Sequence, residues 1–254
     1  MLSTQIRANL FGTLTLYRGD EQLEFTGSTS ARALLAFLLL NRERPQSRNR
    51  LAGLFWPEMD EARSRRALTQ ALWRIRNLLP DYLQTDGQQI QIPENHDLHV
   101  DVEEFETLAG DYSPYQITSP EEKISSAQIL CRAVEIYQGE LLEGFYDDWV
   151  LVERERLREL FLRTLNFLID LEKTRGDYGR ALDYALRLAQ SDPYRESAHR
   201  EVMRLYYALD RPEAALSQYE TCCRILEEEF GLEADRQTRA LAQEIAIRVP
   251  SAQV

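Results

Sequence analysis

The chain has 254 residues, of which 44% are hydrophobic and 28% are charged, a composition typical of a globular protein with enough apolar side chains for two cores. No apolar run approaches the roughly 18 residues of a membrane-spanning helix, and the N-terminus lacks the basic and then apolar order of a secretory signal, so we expect a cytoplasmic protein. The net charge of −12, taken over the whole chain, argues against nucleic-acid binding.

The charge is, however, unevenly distributed along the chain. Residues 1–95 contain 12 arginines and 10 acidic residues, a net charge of +2, whereas residues 96–254 contain 18 basic and 32 acidic residues, a net charge of −14. A nearly neutral segment with clustered arginines, followed by a strongly acidic one, indicates a half that faces nucleic acid and a half that faces protein.

The N-terminal segment predicts a small antiparallel sheet. Its short strands are expected at 6–10, 13–17 and 22–25, with a break at Gly12 and a turn at 18–20. Two helices are predicted to follow this sheet. The first, at 31–40, is apolar nearly all round and is capped by residues 27–30, which indicates a buried central helix. The second begins after a Ser47 cap and ends before Pro57.

The segment 61–79 predicts an amphipathic helix with an arginine-rich face. Its apolar positions recur at steps of four, three and four residues: Leu68, Leu72, Ile75 and Leu79. The opposite face carries guanidinium and amide groups that can reach phosphates and base edges, and no carboxylate follows Glu61. This face consists of Arg65, Arg66, Thr69, Gln70, Trp73, Arg76 and Asn77, with Arg74 at its edge. Such a face can also merely keep a helix soluble. The neighbouring segments of the chain therefore decide between a solvated face and a nucleic-acid-binding face.

A hairpin is predicted after this helix, with strands at 82–85 and 89–92 around the turn Asp86-Gly87. The acidic segment 98–105 is expected to close the first module as a loop. The neighbouring side chains His96, Asp97, His99 and Asp101 resemble a metal-ligand set, but without a further ligand cluster the spacing favours no metal.

The second half is predicted to be helical to its end. Helices are expected at 121–137, 149–173, 178–190, 196–209, 212–230 and 235–248, with an aromatic cluster of Phe145, Tyr146 and Trp149 before the second of these and a stop at Gly231. The dipeptide Ala181-Leu182 recurs as Ala215-Leu216 after 34 residues, which is the tetratricopeptide period. Stacked helix pairs of this kind leave a concave surface for a peptide. Four arginines near that surface, Arg187, Arg195, Arg200 and Arg204, are candidates for an anionic effector, although pairing with local acids is favoured.

Several motifs together resemble the Streptomyces antibiotic regulatory protein family, which joins a response-regulator-type winged helix to a bacterial transcriptional activator domain. The matching stretches are Leu10-Phe11-Gly12 with Leu14 and Leu16, Arg32-Ala33-Leu34-Leu35-Ala36, Ser47-Arg48-Asn49-Arg50-Leu51 before Phe55-Trp56, Ala67-Leu68 through Arg74-Ile75-Arg76, and Glu228-Glu229-Phe230-Gly231-Leu232. The resemblance implies a mainly α protein with a small β component. Residues 1–97 would form a winged helix-turn-helix with an extra antiparallel sheet, and residues 98–254 a tetratricopeptide-like helical domain.

The resemblance also implies a role for individual residues. The helix 61–79 would lie in the major groove of promoter direct repeats and the hairpin 84–91 at the adjacent minor groove, with bases faced by Arg66, Thr69, Gln70 and Trp73. The whole set expected at DNA is Arg48, Arg50, Arg65, Arg66, Thr69, Gln70, Trp73, Arg74, Arg76 and Asn77. The loop before this helix, with Trp56, Glu58 and Asp60, would contact RNA polymerase, the alternative being that it is merely a short linker. A homodimer is expected at least on DNA. Trp73 departs from the small polar residue common in the family.

Neither a cofactor nor catalysis is expected. A phosphate-binding loop needs Gly-Lys, and the lysines of this chain, Lys123 and Lys173, each follow a glutamate. The three cysteines are odd in number and lack the Cys-x-x-Cys spacing, which favours buried free thiols. The alternative function is a helical-repeat adaptor or effector sensor whose winged helix binds protein.

Overall fold

The structure, a computed structural model, describes residues 5–42, 44–93, 97–110 and 120–248, and for residues 120–125 the backbone alone. The chain forms two compact units. The first comprises Met1–Gly110 and Glu135–Leu157, and the second comprises Asp111–Val134 and Arg158–Val254. The expected fold class is confirmed: a winged helix-turn-helix with an added sheet precedes stacked tetratricopeptide-like helices.

Two small sheets, four whole helices and parts of two later helices build the described part of the first unit. One sheet has the order β3-β2-β1-β7 and the other the order β4-β6-β5. The strands are β1 Ile6–Asn9, β2 Thr15–Arg18, β3 Glu21–Leu23, β4 Gln46–Ser47, β5 Gln84–Asp86, β6 Gln89–Gln91 and β7 Leu98–Val100. The helices are α1 Thr29–Leu40, α2 Arg48–Phe55, α3 Glu61–Leu78 and α4 Asp101–Gly110. The three N-terminal strands and the hairpin β5–β6 lie where the sequence predicts them.

Helix α1 is the buried centre that its composition predicts. Every residue from Ala33 to Leu39 is buried, and the Ser28 Oγ accepts the Ala31 N–H at 3.3 Å, which satisfies one of the free amides at the helix start. Helix α2 begins at the expected place, but the Ser47 side chain makes no cap hydrogen bond. Ser47 lies in β4, and the Arg48 N–H at the helix start is donated instead to the Gln88 carbonyl at 2.9 Å.

The acidic segment after residue 97 is not the predicted loop. It forms β7, which pairs in parallel with β1, and then α4. The buried residues Val102, Phe105 and Ala109 follow a helical spacing, and the acidic first turn suits the positive end of the helix dipole. Asp101 accepts the backbone N–H groups of Leu10 and Phe11 at 2.8–2.9 Å. Burial raises the pKa of this carboxyl, although these hydrogen bonds oppose the shift.

Residues 135–157 complete the first unit. The Gly12 N–H donates to the Glu140 carbonyl at 2.7 Å, and the Leu142 N–H donates to the Leu10 carbonyl at 2.8 Å. Of the predicted aromatic cluster, Phe145 is buried and Trp149 packs edge-on against Phe37 with ring centroids 5.1 Å apart, whereas Tyr146 is exposed. A distant stretch of the chain therefore supplies part of the first core.

Six helices follow the predicted order, two of which run across the division between the units. They are α5 Pro120–Ile136, α6 Asp148–Arg175, α7 Tyr178–Ser191, α8 Glu196–Ala208, α9 Pro212–Phe230 and α10 Arg236–Arg248. Ala181 and Ala215, the equivalent positions of the 34-residue repeat, are both fully buried. Gly231 adopts a left-handed conformation with φ 63° and ends α9, as predicted.

None of the helices in the described part of the chain combines the length and apolar character that crossing a bilayer requires. Within those residues no three metal-ligating side chains converge. His99 Nε2 pairs with Glu104 at 2.7 Å, while His96 lies outside the described residues. The cysteines are free thiols, and only Cys222 is fully buried; Cys131 and Cys223 are half-buried.

Candidate nucleic-acid interface

Helix α3 is fixed to the first unit by one apolar face. Its buried residues are Ser64, Leu68, Ala71, Leu72 and Ile75. The helix begins at a cap in which the Asp60 carboxylate accepts the Arg63 N–H at 2.9 Å. Because these contacts fix both the rotation and the start of the helix, the side chains on its other face point away from the core.

The residues expected to contact DNA on α3 all lie on this exposed face. They are Arg65, Arg66, Thr69, Gln70, Trp73, Arg74, Arg76 and Asn77. The Trp73 side chain is 65% exposed, although a tryptophan ordinarily gains free energy by burial. The structure thus presents an indole ring together with guanidinium and amide groups on a single surface, which we call the α3 face.

Side chains at the start of α2 contact the α3 face. Arg48 donates from Nη2 to the Thr69 hydroxyl at 3.2 Å, and Arg65 donates from Nη2 to the Asn49 amide oxygen at 3.3 Å. Arg65 also pairs with Glu61 at 2.6 Å, an exposed ion pair that water screens. These contacts hold Arg48 and Arg65 close to the helix surface. Asn49 was not among the expected site residues. Its position between Arg48 and Arg50 in the sequence is the observation that could have identified it.

Three other arginines of this region have no carboxylate partner among the described residues. In the described part of the chain, Arg50, Arg66 and Arg74 form no ion pair with a carboxylate, and Arg66 bonds only to the Ala62 carbonyl of its own helix, at 3.2 Å. Arg50 is exposed on α2. Unpaired guanidinium groups on a rigid helix are the groups that bind phosphate oxygens and guanine edges most strongly.

The hairpin β5–β6, which we call the wing, is joined to the end of α3. Arg76 donates from Nη2 to the Thr85 hydroxyl at 3.1 Å. Gly87 turns the wing with φ 51°, a conformation that favours glycine. Exposed amide side chains from Gln84, Gln88 and Gln89 surround this turn, while Asp86 places a carboxylate near its tip. Amide side chains of this kind are among those that read the minor groove.

The loop between α2 and α3 contains the three residues expected at RNA polymerase. Trp56 is only 9% exposed and packs against the Phe55 ring, and its carbonyl accepts the Met59 N–H at 3.2 Å to form a turn. Glu58 and Asp60 are exposed, and so is Met59, which was not among the expected site residues. The loop therefore presents two carboxylates and a thioether above a buried indole.

Comparison with known proteins supports the resemblance seen in the motifs. The family model described as "Bacterial transcriptional activator domain" matches residues 100–246. Regulatory protein AfsR of Streptomyces coelicolor is 28% identical over 251 residues, covering 96% of this chain and 24% of AfsR. Transcriptional regulatory protein MoaR1 of Mycobacterium tuberculosis is 26% identical over 255 residues, covering 96% of this chain and 80% of MoaR1. The chain thus spans about a quarter of the length of AfsR.

A solved structure has the same fold. Mycobacterium tuberculosis EmbR, determined in complex with a low affinity phosphopeptide, superposes with a TM-score of 0.73 over 97% of this chain and 66% of EmbR. At 20% identity this similarity concerns the fold alone. Because the family model covers more than half of the sequence, and because the N-terminal motifs agree with it, the chain belongs to the bacterial transcriptional activator domain family, of the Streptomyces antibiotic regulatory protein type.

Proposed function

We propose that this protein is a sequence-specific DNA-binding transcriptional activator. Residues 1–97 carry DNA binding, and residues 98–254 form the activator domain that contacts other proteins. The observation that carries the proposal is the α3 face, where unpaired arginines, amides and an exposed indole lie on one rigid helix with no carboxylate after Glu61. AfsR and MoaR1 are both named as regulatory proteins, which agrees with this function.

The spacing of the α3 face suits the major groove. Arg66, Gln70, Trp73 and Asn77 recur at helical steps and cover about 16 Å along the helix axis at 1.5 Å per residue. That length corresponds to roughly five base-pair steps of 3.4 Å. We propose that Arg66, Thr69, Gln70 and Trp73 face base edges, with the Trp73 ring against a thymine methyl group or a sugar.

The arginines at the edges of this face would hold the DNA backbone. Arg74 and Arg76 lie toward the C-terminal end of α3, and Arg48 and Arg50 lie on α2. Such contacts fix the orientation of the protein on the duplex without reading sequence. With the wing at the adjacent minor groove, one surface of the protein would contact both the major and the minor groove. Two protomers would occupy the two halves of a direct repeat.

The activating contact would come from the loop between α2 and α3. Glu58 and Asp60 present negative charge to a basic surface of RNA polymerase, while the buried Trp56 supports the loop from beneath. The exposed Met59 adds an apolar contact at its centre. The acidic helical domain, with a net charge of −14 over residues 96–254, would repel phosphate and is suited to protein contacts.

The decisive experiment is selection of bound sequences from random duplex DNA at two salt concentrations. We expect the parent chain to enrich a short direct repeat, with an affinity that falls steeply as salt rises because phosphate contacts release counterions. Arg66→Ala is expected to relax or abolish the enrichment, at a cost of about 1–3 kcal/mol if the guanidinium contacts a base. Arg224→Ala is the matched control, since it removes an exposed arginine of α9.

Two outcomes would overturn the proposal. Weak binding without any enriched sequence, or an unchanged motif for Arg66→Ala, would exclude sequence reading by the α3 face. Binding of a protein partner that survives neutralisation of this face would then favour a helical-repeat adaptor. The mass of the complex on a duplex with two repeats tests the dimer: we expect two protomers, and a single protomer on such DNA would contradict it.

A further inference from the structure

A small cavity lies in the second unit, between side chains of α5, α6 and α7. Its volume is about 300 Å³, at the lower end of the range of small-molecule sites. The lining residues are Ala127, Gln128, Cys131, Arg175 and Arg180. Two guanidinium groups and an amide thus surround a space that suits a small polar molecule, within a part of the chain that is otherwise strongly acidic.

The two arginines share one buried carboxylate. Glu172 is only 1% exposed, and its Oε1 lies 3.2 Å from Arg175 Nη1 and 3.5 Å from Arg180 Nη1. The two guanidinium groups thus share a single carboxylate beside the cavity. The exposed Asp177 carboxylate accepts the Arg180 N–H at the start of α7, so it serves as a helix cap.

A further nitrogen of Arg180 contacts two weak acceptors. Its Nη2 lies 3.3 Å from the Tyr184 hydroxyl and 3.5 Å from the Cys131 sulfur. Burial, with the hydrogen bond between Tyr184 and Cys131, raises the pKa of Tyr184 to about 12, so the phenol stays neutral. A carboxylate or phosphate oxygen is a much stronger acceptor for a guanidinium than a phenol or a thiol. Arg180 would therefore form a stronger hydrogen bond to an anion in the cavity than it now forms to Tyr184 or Cys131.

We propose that this cavity is a binding site for a small anionic metabolite that carries a carboxylate or a phosphate group. Arg180 would bind the anion directly, Arg175 would supply a second positive charge, and the Gln128 amide would donate to a further polar group of the ligand. The site does not depend on DNA binding by the first unit, so an experiment can contradict this proposal without contradicting the proposed function.

Of the four arginines that the sequence singled out for such a role, Arg195 is exposed just before α8, and the other three contact partners outside this cavity. Arg200 pairs with Asp235 at 2.8 Å, Arg204 pairs with Glu201 at 3.5 Å, and Arg187 lies over the Phe161 ring. These three have acids or an aromatic ring as partners, whereas Arg175 and Arg180 share one carboxylate beside the cavity. The proposed anion site therefore lies at a different place in the helical unit from these four arginines, for which the sequence favoured pairing with local acids.

The test uses the thiol of Cys131, which lines the cavity, as a reporter. The full chain is treated with iodoacetamide in the presence of inorganic phosphate, succinate or neutral succinamide, with ionic strength held constant by sodium chloride, and alkylation of each cysteine is followed by peptide mass spectrometry. We expect phosphate or succinate to slow alkylation of Cys131 relative to Cys223, and succinamide to have no effect. Which anion protects distinguishes a phosphate site from a carboxylate site. Protection by neither anion would overturn the proposal.

Two variants make the test specific. Arg180→Gln is expected to weaken anion binding, measured by calorimetry, by about tenfold or more because it removes a charge-assisted hydrogen bond. Tyr184→Phe frees the Arg180 donor and should maintain or strengthen binding. Arg224→Gln, an exposed arginine outside the cavity, is the control and should bind as the parent does. Equal affinity in Arg180→Gln and the control, or a clear loss in Tyr184→Phe, would contradict the assigned site.

Discussion

At the residue scale, the arginines on and beside the α3 face differ in the groups to which they are hydrogen-bonded. Arg76 is bound to Thr85 of the wing, and Arg48 is bound to Thr69, so both guanidinium groups have a fixed position before any ligand arrives. Arg66 bonds only to its own helix backbone. A restrained guanidinium suits the regular phosphate backbone, whereas an extended and unpaired one can reach into the groove.

This difference predicts two kinds of mutant. Arg76→Ala should weaken binding to all DNA sequences alike and reduce the dependence of log K on log salt by about one unit, because one phosphate contact is lost. The measurement is a fluorescence anisotropy titration of specific and random duplexes at several salt concentrations. Arg66→Ala serves as the contrasting variant, since it should mainly lower the ratio of specific to random affinity. Identical behaviour of the two variants would argue against this division of roles.

At the element scale, the ends of helices are fixed by side chains from distant parts of the chain. Asp235 precedes α10, where its carboxylate accepts the Thr238 N–H at 2.7 Å and pairs with Arg200 of α8 at 2.8 Å. Burial alone would raise the pKa of Asp235, but the hydrogen bonds from Thr238 and the charge of Arg200 outweigh it, and the pKa is lowered. The cap therefore ties α10 to α8 when the carboxyl is ionised.

The pH dependence of this cap can be measured. Asp235→Ala should lower the free energy of unfolding by about 1 kcal/mol, the usual worth of a helix cap. Because the folded-state pKa is below the ordinary value of 3.8, the difference from the parent should be complete above pH 3.8 and shrink as the pH falls through the folded-state pKa. Urea unfolding followed by far-ultraviolet circular dichroism provides the measurement. Glu229→Ala, at an exposed position of α9, is the control, and a pH-independent difference would contradict the linkage.

At the scale of the whole molecule, the first compact unit contains more than the segment proposed to bind DNA. Residues 135–157 belong to it, and so do β7 and α4. Phe11 packs against both Phe105 and Tyr137, with centroids 5.4 Å and 4.7 Å away. Without these later residues, the backbone of residues 10–12 would lose its hydrogen-bond partners and β1 would become an edge strand.

A truncation tests this composition of the unit. A chain that ends at residue 97 should show no cooperative unfolding transition, because it lacks β7, α4 and the Trp149 side chain that packs on α1. A chain that ends at residue 157 should unfold cooperatively in urea. All three tryptophans lie in the first unit, so their fluorescence reports on it specifically. A cooperative transition of similar midpoint in both chains would contradict this composition of the unit.

The sequence by itself determined the elements whose signals are local. Helical periodicity placed α3 and the helices of the second half to within a few residues, the repeat of 34 residues indicated the tetratricopeptide-like stacking, and Gly231 marked the end of α9. The members of the α3 face also followed from sequence, because helical geometry fixes which residues share a face.

Tertiary structure alone decided the features that depend on contacts between distant residues. Helix α4 was not predicted because its acidic residues obscured the helical spacing of Val102, Phe105 and Ala109. Strand β7 was not predicted because it is short and depends on pairing with β1. The burial of Trp56 and the convergence of Arg175 and Arg180 on Glu172 are further cases. A periodic sequence pattern does not encode such tertiary contacts, because they depend on how whole elements pack against each other.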